Sequence, residues 1–174
     1  PLLARCSEME MPAFAITDQM NMCGLVKFYS EAHNRGIKPI IGVDAWVKGD
    51  IHGNDIFRLT LLATNNVGYK NITVLISKAY QRGQIQGKTV IEQSWLVEHA
   101  EGVLILSGGV NGDLGMALLK NQSSQIAKIT EFYQTHFADN YYLELTRTGR
   151  TGENNYIQAA VNHAAAYSLP VVAT

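Results

Sequence analysis

Two short runs restrict the fold more than anything else in the chain. Val103-Leu104-Ile105-Leu106 and Pro170-Val171-Val172-Ala173 are apolar at successive positions, so each offers an apolar side chain to both faces of a strand. A strand with two apolar faces must be covered on both, as in a parallel sheet clothed in helices. Runs 13–17, 39–47, 56–64, 103–107, 141–147 and 170–174 read as strands. Helical patterns fill the intervals: 24–35, closed by Gly36; 66–82, closed by Gly83; 89–99, with Trp95 and Leu96 on one side; 113–120; 123–136; and 153–168, ahead of Pro170. Stretches 48–55 and 81–88 are polar and read as surface loops. Parallel strands alternating with helices form either a doubly wound sheet or a (β/α) barrel.

With 174 residues, 47% of them hydrophobic, the chain can build one sizeable core, and its length suggests one domain. A net charge of −1 gives no global pull toward nucleic acid or membrane. No apolar run approaches the ~20 residues of a membrane span, and the start, PLLARCSEMEMPAF, lacks the basic-then-apolar layout of a signal peptide. Cys6 and Cys23 have neither zinc nor redox spacing and read as reduced thiols in a cytosolic protein. The chain opens on Pro1, with a helix tail over 1–11 and no strand before it, and stops on Thr174 at a strand end. It is therefore expected to be a fragment.

Polar residues within strands mark the candidate site. Alternation puts Gly42, Asp44 and Trp46 on one face of the second strand, Arg58 with Thr60 on the third, and Tyr142, Glu144 and Thr146 on the fifth. Asp18 ends the first strand, in FAITDQMNMCG, where α/β enzymes place functional groups. In a barrel Asp18, Asp44, Arg58 and Glu144 could converge, and a buried carboxylate cluster needs a metal or a cationic side chain to offset desolvation. Taken singly, each is also readable as a structural polar group or a surface charge. The five histidines are His33, His52, His99, His136 and His163; His52 falls in a loop and the others on predicted helices, where they read as solvated. SGGVNGDLG, residues 107–115, lacks the spacing of known phosphate-binding loops and reads as a tight strand-to-helix turn.

AITDQMNMCGLVKFYSEAHNRGIKPIIGVDAWV, LTLLATNNVGYKNITVLISKAYQRG, LILSGG, YYLELTRTGR and LPVVAT follow one another in this order. Together they resemble the polymerase-and-histidinol-phosphatase (PHP) domain of the alpha subunit of bacterial DNA polymerase III, in its gammaproteobacterial form. The resemblance spans essentially all 174 residues. It implies a distorted seven-stranded (β/α) TIM-like barrel, here expected to lack its first strand and the segment after its last one. Metal-competent members carry Thr-Asp-His where this chain has Thr17-Asp18-Gln19, a glutamate where it has Asp44, and a histidine where it has Arg58. They also carry Ser-Gly-Cys at Ser107-Gly108-Gly109, and a histidine four residues after Glu144, where Thr148 stands. Asp18, Gln19, Asp44, Arg58, Gly109, Glu144 and Thr148 thus read as positions of a degenerate metal site, with no catalytic, cofactor or metal-binding residue expected. A guanidinium cannot ligate a metal, so Arg58 is expected to offset Asp18, Asp44 or Glu144 where the cation would sit.

The resemblance further implies a parent DNA-directed DNA polymerase in the cytoplasm. Its nucleotidyl transfer uses magnesium in a polymerase domain outside this chain. Its partners are the epsilon proofreading exonuclease subunit, the rest of the alpha subunit, the sliding clamp, the clamp loader and DNA. For this domain the ligand losses favour a metal-free scaffold that supports the polymerase and contacts epsilon. The competing reading is a residual metal-dependent 3′→5′ exonuclease or phosphoesterase. Direct DNA binding is disfavoured, because lysines and arginines are scattered without an aromatic-interleaved stripe.

Overall fold

The computed structural model describes residues 2–49 and 55–174. His52 and most of the predicted loop 48–55 lie outside the described residues, as does Pro1. In chain order the elements are α1 (Leu2–Glu8), β1 (Ala13–Gln19), α2 (Leu25–Asn34), β2 (Lys38–Lys48), β3 (Ile56–Ala63), α3 (Asn66–Arg82), β4 (Gln84–Ile85), β5 (Lys88–Thr89), β6 (Ile91–Glu92), α4 (Gln93–Glu98), β7 (Val103–Leu106), α5 (Asp113–Leu119), α6 (Ser123–His136), β8 (Tyr141–Leu145), α7 (Glu153–Tyr167) and β9 (Val171–Ala173).

The main sheet runs β1-β2-β3-β7-β8-β9, with the short β6 also paired to β2. It curls through 206° and leaves its edges 13 Å apart. The architecture is therefore the incomplete, distorted TIM-like barrel and not the flat doubly wound sheet. One expectation fails: the sheet is not wholly parallel. β3 is antiparallel to both β2 and β7, whereas β1–β2, β7–β8 and β8–β9 are parallel. The cause is connection length. Only residues 49–55 separate β2 from β3, and a parallel return needs a dozen or more. Reversing this one strand restores the common direction at β7.

Burial on the sheet is one-sided where β2 meets β3. Val43, Ala45, Val47, Phe57, Leu59 and Leu61 are essentially inaccessible on the convex face. They pack in one core with Ile72 and Leu75 of α3, Leu96 of α4, Leu114 of α5 and Ile129 of α6. α3 starts where Asn65 Oδ1 accepts the backbone N–H groups of Val67 and Gly68, a side-chain cap for donors the helix leaves free. A second core joins α1 to α2 through Leu3, Cys6, Phe28, Ala32 and Ile37. Cys6 is buried and Cys23 exposed, and both are free thiols.

Two local expectations are also corrected. Stretch 81–88 is not simply a loop: β4 and β5 form a hairpin there, turning at Gln86 and Gly87, both at positive φ. The helix expected over 89–99 shortens to α4, because 91–92 pairs with Val47 and Lys48 of β2.

Candidate functional site: a polar pocket at the strand ends

The antiparallel β2–β3 ladder sets the first part of the site. Its register places Asp44 opposite Thr60 and Trp46 opposite Arg58, so Asp44 and Arg58 are diagonal neighbours on one face. Arg58 Nε donates to Asp44 Oδ1 at 2.5 Å. Their side chains are 34% and 16% exposed, so this ion pair is shielded from water but not sealed. Of the three carboxylates that Arg58 could have met, the geometry selects Asp44. Lys88 Nζ sits 5.2 Å from the centroid of the Trp46 ring, adding a second cation to this face.

β8 supplies Glu144, which is buried. Its backbone is pinned on two sides: its N–H donates to Ser107 Oγ at 2.9 Å and its carbonyl accepts the Tyr156 hydroxyl at 2.7 Å. Oε1 accepts the Thr174 hydroxyl at 2.8 Å, whereas the buried Oε2 has no hydrogen-bond partner among the described residues. The loop after β8 is organised by Glu153, at the start of α7. Its carboxylate accepts the Thr148 hydroxyl and the backbone N–H groups of Thr148, Gly149 and Arg150. These bonds, the Thr148 hydroxyl foremost, hold its pKa below the usual carboxylate range.

Arg58, Gly109, Glu144 and Thr148, with Arg150 and Glu153, line a pocket of about 240 Å³. Gly108 closes its floor: at φ 74° it lies in the left-handed region, and a Cβ there would overlap the carbonyl oxygen of Arg58. Four of the seven expected positions are therefore brought together, with Asp44 reaching them through Arg58. Asp18 and Gln19 are not. Asp18 Oδ2 accepts the N–H of Gly24 at 2.9 Å and fixes the turn into α2; Gln19 is exposed, and its carbonyl accepts from Asn21. Among the described residues, an interior ion-pair network joining all three carboxylates does not form, because Asp18 bonds the Gly24 N–H and Glu144 the Thr174 hydroxyl.

His33 and His136 are exposed helix residues and His99 follows α4. His163 departs from the solvated reading: it is buried in α7, its Nε2 is 2.9 Å from the Thr130 hydroxyl, and burial lowers its pKa. Arg150, Glu153 and Tyr156 went unnoticed in the sequence. The signal for Glu153 was an acidic residue in the first turn of a helix following a Gly/Thr-rich loop.

Among the described residues, no group of three or more His, Cys, Asp or Glu side chains is placed to hold a metal ion. The PHP domain family profile matches residues 1–148. The chain belongs to the PHP domain family. Among its relatives, DNA polymerase III subunit alpha of Vibrio cholerae is 58% identical over 174 residues, and the same subunits of Escherichia coli K12 and Haemophilus influenzae are 51% and 53% identical. These gammaproteobacterial matches cover the whole of this PHP domain but 15% of each relative. Two solved structures share the fold. One is an amidohydrolase from Chromobacterium violaceum with sulfate and no metal bound (TM-score 0.55, 12% identity, covering 97% of this chain and 78% of that one). The other, from Bifidobacterium adolescentis, is described as a metal-dependent phosphoesterase (TM-score 0.53, 11% identity, covering 99% and 79%). No described helix is long and apolar enough to cross a membrane.

Proposed function

We propose that this PHP domain acts in DNA replication as a metal-free scaffold within the alpha subunit of a cytoplasmic DNA polymerase III. In this reading it supports the polymerase and contacts the epsilon proofreading subunit. Nucleotidyl transfer, with its magnesium, belongs to another domain of the parent, which also engages DNA, the sliding clamp and the clamp loader. The observation that carries the reading is the Arg58–Asp44 pair: a fixed cation lines the pocket that a metal would need and occupies the neighbouring carboxylate of Asp44. Asp18, Gln19, Gly109 and Thr148 fit the same picture, since none is left as a free ligand in a shared cluster. Without imidazole ligands, the remaining oxygens suit zinc, iron or manganese poorly. Elemental analysis of the purified full-length subunit is expected to give no stoichiometric zinc, iron or manganese, while a pull-down with the epsilon subunit retains binding. A transition metal at one per chain, lost on Asp44→Ala, would overturn the reading.

One observation favours a second reading. Among the described residues, one Glu144 oxygen is buried at the pocket without a hydrogen-bond partner, which is the kind of group a residual metal-dependent phosphoesterase would use. Manganese-dependent hydrolysis of a 3′-terminal phosphodiester that disappears in Glu144→Gln would establish it.

A further inference from the structure

Behind the pocket lies a polar cluster that the pocket does not use. Asp113, the first residue of α5, is completely buried. Its Oδ2 accepts the Tyr133 hydroxyl of α6 at 2.8 Å, and its Oδ1 accepts the N–H of Leu114 at 2.7 Å. The Tyr133 ring stacks on Tyr141 of β8, with centroids 4.0 Å apart and planes 5° from parallel. The Tyr141 hydroxyl and Gln93 Nε2 are buried without a hydrogen-bond partner among the described residues. Tyr133 and Tyr141 thus border the Asp113 carboxylate, Gln93 adjoins Tyr133, and among the described residues no countercharge acts on the carboxylate.

The titratable groups facing Asp113 are Tyr133 on α6 and Tyr141 on β8; Tyr156 of α7 adjoins Tyr141, and Glu144 acts on Tyr156. His163, the buried histidine of α7, is bonded to Thr130. No lysine, arginine or histidine is among the groups that set the charge state of Asp113, and burial pushes its carboxyl up to about 7 against the pull of the Tyr133 and Leu114 bonds. Asp113 is joined to the pocket through the turn before it. The turn before it supplies Gly108, Gly109 and Asn111 to the lining. That turn has no slack: a Cβ on Gly112 would overlap the carbonyl oxygen of Ser107, and one on Gly108 that of Arg58.

We propose that Asp113, Tyr133 and Tyr141 form a proton-uptake switch, in which a proton held on Asp113 keeps the pocket-lining turn 107–113 closed and its loss loosens that turn. Protonation removes a buried, uncompensated charge and adds a donor to a cluster that holds an unpartnered tyrosine hydroxyl. The device depends on the core of the fold and not on the scaffold role, so failure of one leaves the other standing.

Hydrogen exchange followed by mass spectrometry on the full-length subunit tests it, at about pH 5.5 and about pH 8, after correction for intrinsic exchange. In the wild type, peptides covering 107–120 and 129–143 are expected to be about thirtyfold more protected at the lower pH, the ratio for a carboxyl titrating near 7 when closed and near 3.8 when open. Asp113→Asn is expected to lose this gain and to be no better protected at the lower pH, where His163 alone acts against the fold. Wild-type protection that ignores pH, or an Asp113→Asn variant with the wild-type dependence, overturns the proposal; because the variant is read against the wild type, His163 cancels. If Asp113→Asn does not fold, Tyr133→Phe decides the question. It deletes a bond that favours the charged form, so the transition should move to higher pH, and a transition that does not move overturns the switch.

Discussion

The Arg58–Asp44 pair can be removed one partner at a time, and the structure limits the cost. Two unit charges about 4 Å apart attract by roughly 4 kcal/mol at an effective dielectric of about 20. Water reaches a third of the Arg58 side chain and a sixth of Asp44. The pair therefore falls between exposed pairs, worth ~0–1 kcal/mol, and sealed ones, whose breakage costs ~3–5 kcal/mol. A coupling energy of about 1–2 kcal/mol is expected. The assay is a double-mutant cycle of Arg58→Met, Asp44→Ala and the double variant, by urea denaturation with linear extrapolation. Partial burial predicts that the coupling weakens only modestly between low salt and about 0.5 M salt. A coupling within about 0.3 kcal/mol of zero, the ordinary scatter of independent sites, would refute the reasoning. Arg58 would then be a solvated side chain, and the proposed compensation of Asp44 by Arg58 would be wrong.

Gly68→Ala should destabilise the domain by at least about 1–3 kcal/mol, read by thermal unfolding, because its Cβ would overlap the carbonyl oxygen of Gly102. Glu153→Gln should release the 148–150 loop and raise its cleavage by limited proteolysis roughly severalfold. The same loop in the wild type should loosen only under acid: the Glu153 pKa is depressed, so its contribution is present above the ordinary value of 4.5 and lost as pH falls through the folded one. His163 works in the same direction for another reason, since burial favours its neutral form. Its folded pKa is lowered, so the unfolded chain takes up a proton first, and stability should fall as pH drops below about 6.5. His163→Phe should flatten that part of the urea midpoint against pH.

Much of the fold was legible because the strands are short, apolar and separated by well-punctuated helices; α3 and α6 have the bounds that periodicity predicts. The reversal of β3 was also in principle legible, since the seven-residue stretch 49–55 cannot hold a crossover helix; two-faced apolarity reports burial and not direction. The β4–β5 hairpin was hidden because Gln86, and not Asn or Asp, takes the first positive-φ position of its turn. Strand alternation placed Asp44, Arg58 and Glu144 near one another, but pairing depends on register. Nothing local in the sequence shows that Arg58 meets Asp44 across a diagonal, or that Thr148 is claimed by Glu153 five residues on. Asp113 was invisible for a different reason: an acidic residue opening a helix usually faces solvent, and only the packing of Tyr133 over it shows otherwise.

The way burial is divided on β2 and β3 explains how such a site can change without loss of the fold. The convex side chains, from Val43 to Leu61, are almost fully excluded from water and are shared with four helices. The site residues Asp44 and Arg58 alternate with them along the same strands, yet both keep solvent contact. A substitution at position 58 alters a partly exposed face and leaves the packed one untouched, so it draws little on the 5–15 kcal/mol that holds a domain together. The convex core is not free in this way, because any large-to-small change there opens a cavity costing about 2–5 kcal/mol. This distribution of burial thus leaves the polar residues of the site open to change while the packed face holds the fold.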